Sequence, residues 1–185
     1  MRKISTKELV SAAVFTALTI VLTQISIPMP TNVPITLQTL AIALCGYALG
    51  ARLGFISVLT YVLLGAVGAP VFSHFRGGIG MLLGYTGGFI IGFIPMALLC
   101  GLAARRKAYL ALPLGIAGLA VCHLLGVAQF SLVSSRPFLD SLLLVSLPYL
   151  VKDIASVLAA YYLALALRRA VPLLNEISKK AYPSL

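Results

Sequence analysis

Charge is scarce in this chain, and acid is scarcer still. Charged residues make up 10% of the 185 positions, and only four are Asp or Glu. A soluble domain carries about 25% charged residues and about 45–50% apolar ones. Here 61% are hydrophobic and the mean hydropathy is +1.06. These values exclude an ordinary soluble fold and point to an integral membrane protein. Cysteine is equally sparse. Cys45, Cys100 and Cys122 stand singly inside apolar segments, at spacings that form no metal or redox motif, and read as small core residues. Only two histidines are present, and neither His74 nor His123 has a second ligand at i+3 or i+4, so no metal site is expected. There is no Ser/His/Asp cluster, no P-loop and no nucleotide motif. The chain therefore reads as a non-enzyme that cannot hydrolyse ATP by itself.

What is present is continuous apolar sequence broken by loops. Continuous runs indicate helices, whereas a barrel would need alternating strands. The reading is an all-α membrane protein, a bundle of six transmembrane helices at about 9–27, 37–49, 55–69, 81–104, 109–133 and 141–167. Helices 2 and 3 are short for a span, and a tight turn at 50–54 joins them. Residues 1–170 are expected to form a single six-helix transmembrane domain, and 171–185 a tail able to form a surface helix.

The net charge is +10, but its distribution argues for topology rather than nucleic acid. Eleven Lys and Arg fall on the side of the termini. Only Arg76 and Arg136 fall on the other, and Lys152 lies within helix 6. The positive-inside rule then places both termini in the cytoplasm and faces loops 27–36, 70–80 and 134–140 outward. Ser26-Ile27-Pro28 lacks the small residues of a cleavage site, so no cleaved signal is expected.

Residues 65–93 are the exception to the apolar pattern, with nine glycines. Glycine lets backbone approach another group closely. Irregular backbone at membrane depth is tolerated where it lines a cavity or is buried in protein. A small ligand against this stretch is the inference. Tyr85, Gly88 and Phe89 combine bare backbone with aromatic rings, either for close helix contact or for an apolar ring of a ligand.

The polar groups fit such a pocket. Asp153 is a carboxylate inside a membrane helix, which is costly and faces a cavity or a partner. It contacts a ligand, or it satisfies a helix end or Lys152. Neighbours on a helix point about 100° apart, so a simple pair with Lys152 is not expected. Arg76 is either a solvent or headgroup arginine or an anion contact assisted by the N–H groups of Gly77 and Gly78. Thr36 and Gln38 open helix 2, as a cap, as a helix contact or as ligand groups. His123 and Gln129 read as interhelical hydrogen-bond formers. Ala13 and Ala17 make a small-xxx-small face on helix 1, for internal packing or for docking a subunit.

Several motifs together resemble the BioY family, the biotin-specific substrate-binding (S) components of energy-coupling factor (ECF) transporters. They are VPITLQT at 33–39, GAPVF at 68–72 with Gly77-Gly78, GYTGGFIIG at 84–92, and the segment from Pro148 to Asp153. The resemblance spans roughly residues 5–168. It implies an ECF S-component-like bundle in the multi-pass plasma membrane of a prokaryote, surrounded by lipid. It implies an outward pocket for biotin and no bound cofactor. Ala13 and Ala17 would dock the transmembrane coupling (T) subunit, with two ATP-binding cassette ATPases supplying energy. Asp153 matches the helix 6 aspartate of the family's site. Where the family usually has proline, tyrosine and glycine, this chain has Tyr85, Phe89 and Lys152. Biotin has a ureido group, an apolar sulfur ring and an anionic tail. Asp153, Thr36 and Gln38 are assigned to the ureido end, Tyr85 and Phe89 to the ring, and Arg76 or Lys152 to the carboxylate.

Overall fold

The first helix is set by a capping box. Ser5 Oγ accepts from the Glu8 N–H (3.3 Å), and the Glu8 carboxylate accepts from the Ser5 N–H (2.8 Å), satisfying two free donors at a helix start. In the computed structural model, which describes residues 4–181, α1 then runs Thr6–Gln24. Its Thr16, Thr19 and Thr23 repeat at helical spacing, and all three are buried. Each hydroxyl reaches a neighbouring helix: Thr16 to Ser57 at 3.1 Å, Thr19 to Cys45 at 3.4 Å and Thr23 to Tyr61 at 3.3 Å. The opposite face, with Ala13, Val14, Ala17 and Val21, is exposed.

A two-stranded hairpin follows, β1 (Ser26–Ile27) against β2 (Ile35–Thr36), so the expected loop is a small sheet whose seven-residue crest, 28–34, holds three prolines. Then come α2 (Gln38–Leu49) and α3 (Ala51–Ala66). The turn between them is shorter than 50–54. It is Gly50 alone, at φ 83°, and Arg52 and Gly54 are already helical. Glycine adopts that left-handed φ without steric penalty.

Two expected helices are broken. Helix 4 divides into α4 (Ile79–Leu83) and α5 (Gly87–Leu102). Gly84 leaves helical geometry, and the carbonyls of Leu82 and Gly84 accept from Gln129 Nε2 at 2.7 and 2.9 Å. The broken backbone is thus satisfied within the protein, as membrane depth demands. Helix 6 divides into α7 (Phe138–Val145) and α8 (Leu147–Ala170). Pro148 is the cause. It has no N–H, and its ring would clash with the carbonyl four residues earlier, but it fits the first turn of a new helix.

Between these breaks lies α6 (Ala108–Ser134), and α9 (Pro172–Ala181) is the last described helix. Among the described residues three helices are long and apolar enough to cross a membrane: α1 (19 residues), α6 (27) and α8 (24). The apolar α2, α3 and α5 are shorter. The most extensive helix pair is α5 with α6, and α2 packs between α5 and α8. Glycine makes the α5–α6 approach possible. A Cβ built on Gly88 would lie 2.1 Å from the Leu125 carbonyl, and one on Gly92 2.7 Å from Cys122 Cα. The core is apolar and includes Tyr47, Tyr61, Phe72, Met96 and Leu119. The tail is a helix packed back on α2 and α8, burying Leu174, Ile177 and Ser178. Arg2, Lys3 and residues 182–185 lie outside the described residues, as does the Lys180 side chain.

Candidate functional site

The breaks in helices 4 and 6 open a cavity of about 620 Å³, mouth included, at one end of the bundle. The hairpin and the start of α2 supply Val33, Thr36, Gln38 and Thr39. The loop after α3 supplies Phe72 and Ser73, and α5 supplies Phe89, Ile90 and Phe93. Leu119, Cys122 and His123 come from α6, and Tyr149, Lys152 and Asp153 from α8. One side is therefore aromatic and aliphatic, and the other is polar.

The polar side is a connected network. Asp153 Oδ2 meets His123 Nε2 at 3.2 Å, and His123 Nδ1 meets Ser146 Oγ at 2.8 Å. Asp153 Oδ1 is ion-paired with Lys152 Nζ and accepts no hydrogen bond of proper geometry. Lys152 also donates to the Thr36 carbonyl (2.8 Å). Thr36 Oγ1 accepts from the Gln38 N–H (3.2 Å) and donates to Gln38 Oε1 (3.1 Å), while Gln38 Nε2 donates to the Tyr61 hydroxyl (2.7 Å). Asp153, His123, Thr36, Gln38 and Thr39 are all buried. Buried charge in so apolar a bundle is tolerated because each member holds another.

Two of these links depart from the sequence reading. Lys152 and Asp153 do pair, although their Cβ atoms diverge. The lysine stem is long enough to fold back, and the Thr36 carbonyl steers it there. His123 makes the interhelical bond expected of it, yet it also lines the cavity, where its ring meets Phe89 edge-on at 5.7 Å. Only the crossing of α6 and α8 brings residues 123 and 153 together, so no local pattern announces it.

The remaining candidates are scattered. Tyr85 lies on the α4–α5 break, 38% exposed, and packs on Phe130 outside this cavity. Gly88 is a packing residue against α6. The Gly78 N–H is taken by the Gly65 carbonyl (2.7 Å), so it is not free for an anion. Gly77 is exposed, and a Cβ there would lie 2.2 Å from the Ala69 carbonyl, which makes it a close-approach position in the loop. Arg76 is exposed and lines an adjoining outer cavity with Met29, Asn32 and His74. That cavity shares Pro34, Ser73, Met81 and Thr86 with the main one. The loop bearing Arg76 is held by Gln24, which accepts from the Phe75 N–H (2.9 Å) and donates to the Val71 and Phe72 carbonyls (3.3 and 3.2 Å). Those bonds hold His74 and Phe75 at φ 59° and 55°, a conformation non-glycine residues rarely adopt.

Over the mouth lies the crest of the hairpin. The buried Tyr149 side chain donates from its hydroxyl to the Val33 carbonyl at 2.6 Å and meets Thr31 Oγ1 at 3.3 Å. One phenol thus ties the hairpin to α8. Sequence reading passed over Tyr149, although it stands in the segment that carried the family motif. Among the described residues no group of three His, Cys, Asp or Glu is placed to hold a metal.

The model of the BioY family matches residues 1–173. The chain belongs to the BioY family. Among curated relatives, the biotin transporter BioY of Thermotoga maritima is 47% identical over 123 residues, covering 65% of this chain and 72% of that protein. The probable biotin transporter BioY of Pyrococcus horikoshii is 40% identical over 161 residues, covering 85% and 94%. A crystal structure of the S-component for biotin from an ECF-type ABC transporter superposes with a TM-score of 0.81 at 28% identity, covering 88% of this chain and 91% of that one. The fold is therefore that of an ECF S component, and this BioY-family chain belongs with transport proteins rather than enzymes.

Proposed function

We propose that this protein takes up biotin as the substrate-binding component of an ECF-type transporter. The observation that carries the proposal is the two-sided cavity. Phe89, Ile90, Phe93 and Leu119 face an apolar ring, while Asp153, Lys152, His123, Thr36 and Gln38 present donors and acceptors. The ureido group of biotin offers two N–H donors and one carbonyl acceptor. Asp153 Oδ1, which has no well-formed hydrogen bond, is the natural acceptor for one N–H. Gln38, Thr36 and Lys152 serve the rest of that end. The thiophane ring lies against Phe89, which takes over the ring-facing role first given to both Phe89 and Tyr85. Lys152 is held by Asp153 and Thr36, so Arg76 is the better carboxylate partner, reached through the adjoining outer cavity. The relatives' descriptions as biotin transporters support the same substrate.

In this reading six segments lie in the cell membrane of a prokaryote as a multi-pass bundle, with α4 and α7 as short partners of α5 and α8. The termini are cytoplasmic, residues 1–170 form the binding domain, and 171–185 form a cytoplasmic tail. Ala13 and Ala17, exposed on α1, meet the T subunit, and two ATPases complete the transporter. Isothermal titration with biotin tests the site. The wild type binds tightly, Asp153→Asn weakens binding by about tenfold to a hundredfold as a charge-assisted hydrogen bond is lost, and Arg76→Ala weakens it less. Unchanged affinity in both variants refutes the assignment.

A further inference from the structure

A second cavity lies at the other end of the bundle. Asp153 and Arg168 are 15 residues apart on α8, about 22 Å along the axis at the helical rise. This second cavity, about 840 Å³ with its mouth, is lined by Arg105, Arg106, Arg168 and Arg169, with Ala104, Leu165, Pro172 and Asn175. Among the described residues no acidic side chain lines it. Four guanidinium groups facing one space repel each other unless an anion lies among them.

The site is built rather than accidental. Arg168 is 8% exposed, the least accessible of the four. Its two terminal nitrogens donate to neutral acceptors: the Ala104 carbonyl, the Tyr47 carbonyl at 2.6 Å and Ser178 Oγ at 3.5 Å. Those bonds join the end of α5, the end of α2 and α9, and they fix the guanidinium in place without neutralising it. Its Nε has no hydrogen-bond partner among the described residues. Arg105 is half-buried, while Arg106 and Arg169 stand at the rim. The first turn of α9 closes the space with Pro172 and Asn175. A helix start adds positive potential there. Leu102, Leu110, Tyr162 and Val171, each within four positions of a lining residue in sequence, are exposed apolar residues. Arginine matches phosphate oxygens in a bidentate fork.

We propose that this arginine cavity binds a phosphate group, as the headgroup of an anionic phospholipid whose chains lie along those exposed apolar residues. Basic pockets between membrane helices suit such headgroups. The phosphate draws α9 and the α5–α6 loop onto α8, where Arg168 already ties α2, α5 and α9 together. The inference does not depend on biotin as the substrate.

The test uses the whole protein purified in detergent and stripped of lipid. Its thermal midpoint is followed while phosphatidylglycerol, phosphatidylcholine or inorganic phosphate is added. Phosphatidylglycerol raises the midpoint and phosphatidylcholine does not. In Arg105→Gln/Arg169→Gln the apparent phosphatidylglycerol affinity falls roughly thirtyfold, at about 1 kcal/mol for each arginine. Before lipid is added that variant elutes as a monodisperse peak with the wild-type helical circular-dichroism spectrum, which shows that it is folded. A rise with inorganic phosphate at equal concentration upholds the phosphate site and makes free phosphate its source. A midpoint that responds to neither phosphatidylglycerol nor inorganic phosphate, that rises equally with phosphatidylcholine, or that responds equally in the variant, overturns the proposal.

Discussion

Lys152 and Asp153 provide a quantitative test of how the polar side of the cavity is held. The two side chains form an ion pair, but their surroundings differ. The Asp153 side chain is 7% exposed and the Lys152 side chain 30%. Removing the lysine in Lys152→Met leaves a buried carboxylate that has lost its charge partner and still meets His123. Breaking a buried pair from that side costs about 3 kcal/mol. Removing the charge in Asp153→Asn leaves an ammonium that still donates to the Thr36 carbonyl and still meets solvent. That loss is about 1–1.5 kcal/mol. For a chain of this size each kcal/mol moves the unfolding midpoint by about 2–4 °C. Lys152→Met therefore lowers the ligand-free midpoint by about 6–12 °C, and Asp153→Asn by about 2–6 °C. The double variant removes both charges and leaves no orphan, so it is no less stable than Lys152→Met, with a coupling of about 1–2 kcal/mol. The assay is thermal unfolding of the four proteins in one detergent without biotin, read by a thiol-reactive dye on Cys45, Cys100 and Cys122, all of which are buried. Strict additivity, or a greater loss from Asp153→Asn than from Lys152→Met, refutes the unequal burial on which the reasoning rests.

Three further outcomes are expected. Tyr149→Phe removes the hydroxyl that holds Val33 and Thr31; a loss of about 1–1.5 kcal/mol speeds biotin release roughly tenfold in a radiolabel-chase experiment, with little change in the association rate. Gly88→Ala forces a methyl to within 2.1 Å of the Leu125 carbonyl, so α5 must move off α6. That overpacking costs about 1–3 kcal/mol, seen as a lower midpoint with the detergent-soluble protein still monodisperse. Arg136→Cys, at an exposed position between α6 and α7, reacts with an impermeant maleimide in intact cells, whereas labelling only after lysis reverses the proposed orientation.

Much of the fold was legible because it follows from short stretches. The capping box at Ser5 and Glu8, the apolar runs and the proline loop at 28–34 each act within a few residues. The breaks at Gly84 and Ser146 were less legible. A run such as 81–104 is apolar throughout, and hydropathy does not register a helix that stops and restarts. Gln129, 45 residues from Gly84, satisfies that break, so its cause lies in another helix. Pro148 was a local signal for the second break, but it stood within a segment long enough to span. The site divided in the same way. Asp153, Thr36, Gln38 and Phe89 declared themselves as polar or aromatic residues in unusual positions, and the cavity gathers them. Tyr85 did so as well, yet the broken backbone turns it toward Phe130.

Composition alone determined that this chain lives in a membrane, because transfer from water to lipid is nearly additive over residues and needs no partner. The motif order likewise pointed to the family before any helix was placed. Which polar groups meet was decided by the tertiary structure. Asp153 acquires His123 from 30 positions away, and Lys152 acquires the Thr36 carbonyl from 116 positions away. Those meetings depend on where α6 and α8 cross and on how the hairpin folds over them. A buried charge is stable only against a particular partner at hydrogen-bond distance, and that distance exists only once the helices have packed.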